Sequence, residues 1–208
     1  MKILNLYAGI GGNRKLWNGH EITAVEFDPN IAAIYKEHFP QDNVIVGDAH
    51  EYLLKHFEEF DFIWASPPCQ SHSQFSKLRA KSDDKRSGNH LYETKYIDMS
   101  LYQEIILLKN FYEGLYCIEN VIPYYQPLIS AQKIQRHLFW ANFYIFDREF
   151  EKDNIKHGSI KEWETKLFSL EGKKGIDKRQ VLRNCVSPEL GLHILECATK
   201  NKQQLLFA

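Results

Sequence analysis

No stretch of this chain approaches the roughly 18 consecutive apolar residues that a bilayer-spanning helix needs, and its start, Met1-Lys2-Ile3-Leu4-Asn5-Leu6, is not followed by a long apolar run. Neither a membrane segment nor a secretory leader is predicted. Cysteine is sparse. The four residues Cys69, Cys117, Cys185 and Cys197 are widely spread and include no C-x-x-C pair, which argues against a zinc knuckle or a disulfide scaffold and for reduced thiols in a cytosol. An excess of either charge is also missing. With 26 Lys plus Arg against 27 Asp plus Glu, the net charge is -1, so any nucleic-acid surface must be a local patch rather than bulk charge. No Gly-Lys-Ser/Thr sequence ends a glycine turn, so a P-loop is absent. There is no internal repeat or low-complexity tract.

What is present suits one compact domain: 208 residues, 44% hydrophobic and 13% aromatic, enough for one core and too few for two full domains. Ile3 to Tyr7 reads as a strand that breaks into Ala8-Gly9-Ile10-Gly11-Gly12, with a short helix expected from Asn13 to Trp17. A second strand, Glu21 to Phe27, runs into Asp28-Pro29, an N-cap and first-turn pair that opens a helix to about His38. A third strand spans Asn43 to Val46, a helix Ala49 to Phe57, and a fourth strand Asp61 to Ala65, stopped by Pro67-Pro68. Alternating elements of this size predict an α/β fold: a doubly wound, mostly parallel, Rossmann-like sheet.

From Ser66 to Lys95 the chain is polar and aperiodic, with Lys77, Arg79, Lys81, Lys85 and Arg86, the pattern of a functional loop. A helix is expected over Asp98–Tyr112, a fifth strand over Leu115–Ile118, another strand over His137–Phe146 and a closing helix from Ser187-Pro188 to about Thr199. Asp153 to Asp177 shows no clear period. The domain reading is a catalytic and cofactor-binding part, 1–146, an insertion, 147–180, and a returning C-terminal segment, 181–208.

Ligands of doubly wound sheets sit at the carboxyl ends of the strands. The glycine turn, Glu26, Asp48, Pro68-Cys69 and Glu119 all fall just after predicted strands. Glycines allow close backbone approach, and acidic residues after the second and third strands suit ribose hydroxyls and an adenine amino group. An adenosine-containing cofactor fits. Cys69 follows two prolines that hold its backbone and stands beside a basic loop, where a thiolate could be both exposed and stabilised. Cys117 and Cys197 have core spacing. Cys69 and Glu119 together would place a nucleophile and an acid across one pocket.

Tyr7-Ala8-Gly9-Ile10-Gly11-Gly12, Ser66-Pro67-Pro68-Cys69-Gln70-Ser71-His72-Ser73, Glu119-Asn120-Val121 and Arg183-Asn184-Cys185-Val186-Ser187-Pro188 occur in the order found in DNA methyltransferases acting on carbon 5 of cytosine, and the chain strongly resembles that family from residue 2 to about 197. The resemblance implies S-adenosylmethionine as methyl donor, held by Tyr7, Ala8, Gly9, Ile10, Gly11, Gly12, Glu26, Phe27, Asp48, Ala49, Pro68, Asn184 and Val186. It implies Cys69 as the nucleophile at carbon 6 of cytosine, a protonated Glu119 as donor to N3 and Arg136 as a holder of the base and the carboxylate. The partner implied is double-stranded DNA, with the target base flipped out and covered by the Ser71–Lys95 loop, and the protein a monomer.

Two departures stand out. Leu138 occupies the place of a second family arginine. The target-recognition domain is reduced to about Asp147–Gln180, a small basic flap carrying Lys152, Lys156, Lys161, Lys166, Lys173, Lys174, Lys178 and Arg179. That reduction suits a short recognition sequence and a solitary enzyme in a phage or prophage setting rather than one paired with a restriction partner. Competing readings are a cytosine mononucleotide methylase, which the small recognition region would suit, a silent DNA-binding regulator, which would not need both Cys69 and Glu119, and a nicotinamide dehydrogenase, in which Pro-Pro-Cys-Gln has no role.

Overall fold

The computed structural model describes residues 1–73, 96–150 and 160–206. Among these, seven strands form one sheet: β1 (Lys2–Leu6), β2 (Glu21–Glu26), β3 (Asn43–Val46), β4 (Phe62–Ala65), β5 (Leu115–Val121), β6 (Gln132–Ile134) and β7 (His137–Ala141). Their order is β3-β2-β1-β4-β5-β7-β6. The first five are parallel, and β7 runs antiparallel to both β5 and β6. The strand order reverses between β1 and β4, which opens a crevice at their carboxyl ends. The expected doubly wound, mostly parallel sheet is therefore the observed one.

Both faces of the sheet are covered, as a parallel sheet requires. Ile3, Phe62, Trp64, Cys117 and Phe139 bury one face against the closing helix, represented by Leu190, Ile194 and Ala198. Leu4, Leu6, Ile63, Ala65, Ile118 and Trp140 bury the other against Leu53, Leu101, Ile105 and Leu108. The helices are α1 (Pro29–His38), α2 (Ala49–His56), α3 (Ser100–Phe111), α4 (Ile160–Lys166), α5 (Lys178–Asn184) and α6 (Pro188–Leu206), with a 3₁₀ turn at Phe57–Glu59. Their starts follow the sequence chemistry: Asp28 accepts from the backbone N–H groups of Asn30 and Ile31, and Asp48 from that of Glu51, satisfying donors a helix leaves open.

Several boundaries differ from the sequence reading. The expected helix Asn13–Trp17 is a run of turns, closed by Arg14 N to Gly11 O at 3.1 Å and Trp17 N to Arg14 O at 2.9 Å; five residues cannot repay helix nucleation. Polar side chains hold it instead: Arg14 forks onto Asp42 at 2.7 and 2.9 Å, and Asn13 donates to Asn5 at 2.9 Å. The fifth strand runs on to Val121 because β7 pairs with it as far as Val121↔His137, so Glu119 lies inside a strand rather than after one. The strand expected over His137–Phe146 stops at Ala141, and it forms a hairpin with β6, which the sequence reading missed. The aperiodic Asp153–Asp177 stretch contains α4, and the closing helix continues past Thr199 to Leu206.

The described part of the 147–180 insertion is built into the body of the protein. Trp163, Phe168 and Leu170 share a core with Ala8, Ile10, Ile34, Tyr35 and Phe39. Its basic residues are partly committed: Lys173 pairs with Glu37, and Arg179 lies over the Trp163 ring at 5.6 Å. Lys15 reaches across to the Lys166 carbonyl at 3.0 Å. Lys152 and Lys156, like the expected basic loop with Lys77, Arg79, Lys81, Lys85 and Arg86, lie outside the described residues.

Candidate active site

The crevice is floored on one side by the turn after β1. Tyr7 and Gly9 adopt left-handed backbone angles, φ 55° and 56°, and Gly11 has φ 83°. The three turn glycines serve different ends. Gly9 has nothing within 4 Å of where a side chain would project, so the space over it is open. A Cβ on Gly11 would strike the Phe39 and Tyr35 rings, and one on Gly12 would come within 2.8 Å of Cys185 Cβ and the Val186 carbonyl. Only Gly9 matches the expected approach of a ligand; the other two are packing requirements.

Glu26, the last residue of β2, accepts from Gly9 N at 2.9 Å and from Asp28 N at 3.0 Å. Each carboxylate oxygen keeps a second lone pair free, so Glu26 orients the turn and retains acceptor capacity. Phe27 is 75% exposed beside it. Asp48 is exposed at the end of β3 while capping α2, and Ala49 is buried behind it. Pro68 is exposed; Ala8 and Ile10 are buried. Asn184, the last residue of α5, is exposed, whereas the Val186 side chain packs in the core with Trp17 and Leu190. The Asn184–Val186 segment thus backs the glycine turn from behind, and burial pushes the Cys185 thiol up to about 12.

On the other side, β4 ends at Ser66-Pro67-Pro68 and Cys69 begins a turn, with His72 N and Ser73 N donating to the Cys69 carbonyl at 3.1 and 2.9 Å. This turn is tied to β5 and the segment after it. Asn120 Nδ2 donates to the Pro67 carbonyl at 3.0 Å, Tyr124 N to the His72 carbonyl at 3.1 Å, and the buried His72 ring meets Tyr125 Oη at 2.5 Å. A cleft of about 320 Å³ beside it is lined by Pro68, Gln70, Ser71, Tyr96 and Asp98.

Glu119 projects from β5 on the face that carries Cys117 and, across the pairing, Phe139 and His137. His137 Nδ1 lies 2.5 Å from Glu119 Oε1, both side chains nearly fully buried, so the ring and the carboxyl fix each other's position. Burial, and next the Glu119 charge, push the Cys69 thiol up, while Arg136 pulls it down. The expected exposed, stabilised thiolate is corrected: Cys69 is half-buried, and the charge acting most strongly on its thiol is that of an acid. Arg136 sits at the β6–β7 hairpin beside Gln135 in a left-handed turn, and its Nε is buried without a hydrogen-bond partner.

The Leu138 departure resolves geometrically. Leu138 lies on the opposite sheet face, packed with Ala65 and Ile118, and its neighbour His137 is the residue that reaches Glu119. Sequence reasoning missed His137, Asn120 and His72. His137 is out of phase with Arg136 in a period-2 strand, and only the pairing of β7 with β5 sets it against Glu119; the other two contacts join segments about 53 residues apart and leave no local trace.

Residues 1–99 match the family model described as C-5 cytosine-specific DNA methylase. Among curated proteins, the tRNA (cytosine(38)-C(5))-methyltransferase of Spodoptera frugiperda is 29% identical over 116 residues, 52% of this chain and 35% of that protein. Type II methyltransferase M.NgoPII of Neisseria gonorrhoeae is 39% identical over 87 residues, 40% of this chain and 26% of that protein. The chain therefore matches about a third or less of the length of these relatives. A crystal structure of a triple mutant of Spodoptera frugiperda DNMT2 is 28% identical, with a TM-score of 0.39 over 58% of this chain and 35% of that one.

Proposed function

We propose, from the match of residues 1–99 to the C-5 cytosine-specific DNA methylase model, that this chain is a member of that family and transfers a methyl group from S-adenosylmethionine to carbon 5 of a flipped cytosine in double-stranded DNA, acting as a monomer in the cytoplasm. The observation that carries this reading is the junction of Cys69, Glu119 and Arg136, with Asn120 bonded to the Pro67 carbonyl to hold the cysteine turn against the carboxylate strand.

The residues present fit the methyl donor. The open space over Gly9, the spare acceptor positions of Glu26, the exposed Phe27 ring and the exposed Asp48 carboxylate surround one end of the crevice. Tyr7, Gly9, Glu26, Phe27, Asp48, Pro68 and the Asn184–Val186 segment would hold S-adenosylmethionine, which when bound supplies an electrophilic methyl group.

The protein's own residues supply the rest. The sulfur of Cys69 forms a bond to carbon 6 of the cytosine, and the displaced ring electrons are met at N3 by a proton from Glu119. His137, hydrogen-bonded to Glu119, holds that carboxyl in place. A proton on Glu119 also removes the negative charge that opposes Cys69 ionisation, so acid and nucleophile are prepared together. Arg136 would hold the base and the carboxylate, a role that its unpartnered Nε supports. Carbon 5, made nucleophilic in this way, takes the methyl group and N3 returns its proton to Glu119; a base then removes the carbon 5 proton, and those electrons reform the C5–C6 double bond as the C–S bond breaks and Cys69 leaves as thiolate.

The domain reading follows the same lines: 1–146 and 181–208 form the catalytic body and 147–180 the reduced recognition segment. A second substrate reading has a specific motive, since one relative is named for a tRNA cytosine. Labelled methyl donor should be offered with duplex DNA, tRNA and dCMP in parallel. Incorporation into DNA, and a covalent adduct on Cys69 with 5-fluorocytosine duplex, is the expected result. Label in tRNA or dCMP alone would move the substrate; label retained by Cys69→Ser would remove the covalent mechanism.

A further inference from the structure

Three residues from separate stretches meet under the cofactor end of the crevice, and the mechanism uses none of their mutual contacts. Tyr7 Oη donates to Glu104 Oε1 at 2.5 Å, and His50 Nδ1 lies 3.0 Å from the same oxygen. Tyr7 begins the glycine turn, His50 follows Asp48 and Ala49, and Glu104 is on α3. Glu104 is fully buried, with 0% of its surface exposed, and its other oxygen has no hydrogen-bond partner. A carboxylate buried this deeply is costly to keep. It persists here with both of its donors gathered on one oxygen, and each of these donors comes from a stretch that borders the crevice. Tyr7 is, moreover, one of only two non-glycine residues with positive φ among the described residues, a strained conformation that surrounding contacts must impose.

We propose that Glu104 is the positioning residue of the cofactor pocket: by gripping Tyr7 and His50 it holds the glycine turn and the Asp48 turn at a set distance, so that α3 dictates the width of the adenosine-binding end. This rests on the S-adenosylmethionine reading above. His50 makes the grip pH-dependent. The Glu104 hydrogen bond, against some opposing burial, raises the His50 pKa, and the charges facing it from neighbouring elements, Asp48 and Asp98, act in the same direction. The ion pair is thus complete below the ordinary value of 6.5 and is lost as pH rises through the raised folded value.

Calorimetric titration of S-adenosylmethionine and S-adenosylhomocysteine into the full chain between pH 5.5 and 9 tests this (about the range a histidine shift spans). Wild-type affinity is expected to fall as pH rises through the raised His50 value. Tyr7→Phe should weaken binding about tenfold at every pH, the scale of one hydrogen bond to a charged group, while keeping the pH dependence. Glu104→Gln and His50→Asn should flatten the pH profile, and thermal melts without ligand report whether either variant is merely unfolded. Folded Tyr7→Phe and Glu104→Gln proteins with wild-type affinity and profile would overturn the proposal. A wild-type protein that binds neither compound would instead overturn the cofactor reading itself.

Discussion

At the scale of single residues, the Cys69 thiol is governed by what surrounds it. Burial and the Glu119 carboxylate oppose its ionisation and Arg136 favours it. Alkylation of Cys69 in the free protein should therefore have a midpoint above the ordinary thiol value of 9.0, because the thiolate is the reacting form. Arg136→Gln should move that midpoint up and Glu119→Gln should move it down. Rates of iodoacetamide labelling followed by mass spectrometry over pH check all three, and a wild-type midpoint below 9.0 contradicts the description of the site. The Glu119–His137 contact leads to a second expectation. Glu119→Gln should slow single-turnover methyl transfer by about 10²–10⁴-fold, the usual contribution of a positioned acid. His137→Leu should slow the same step with S-adenosylmethionine affinity unchanged, since His137 touches the carboxylate and not the glycine turn. A loss confined to cofactor binding would place His137 elsewhere in the mechanism.

At the scale of elements, the glycine turn has no helix of its own to lean on, and other elements supply its support. Arg14, Asp42 and Tyr35 form a buried cluster, Tyr35 donating to Asp42 at 2.9 Å. Removing one partner of such a buried pair strands the other charge, so Asp42→Ala should cost about 3–5 kcal/mol in unfolding free energy, measured with urea. Helix α6 presses on the same turn: a Cβ on Gly191 would fall on the backbone of Asn13, where nothing flexible can yield. Gly191→Ala should lower the melting temperature and weaken S-adenosylmethionine binding together. Wild-type binding in a destabilised Gly191→Ala protein would separate α6 docking from the cofactor turn.

At the scale of the whole molecule, the 147–180 segment proposed for recognition is short. Trp163, Phe168 and Leu170 of the 147–180 segment are used in the core, and Lys173 is paired. With each good base-edge contact worth about 1–3 kcal/mol of discrimination, a segment this short is expected to read about two to four base pairs. Bisulfite sequencing of DNA treated with the pure protein measures it. A site of about six or more defined pairs, roughly double the expected reading, would require a further contributor.

The alternation of apolar runs with capped helices already determined the parallel sheet, and Asp28-Pro29 and Asp48 already marked where α1 and α2 begin, because helix caps and strand periods are local interactions written over a few residues. Pro67-Pro68-Cys69 and Glu119-Asn120-Val121 were likewise readable as chemistry. What only the tertiary structure decided were pairings across long separations: β7 against β5, which extended the strand through Glu119 and set His137 rather than Leu138 on its face; Asn120 on the Pro67 carbonyl; and Glu104 beneath Tyr7 and His50. The short run Asn13–Trp17 was misread for the same reason. Five residues hold too little local preference to choose a helix, and the partners that chose turns instead, Asp42, Asn5 and Gly191, come from elsewhere in the chain.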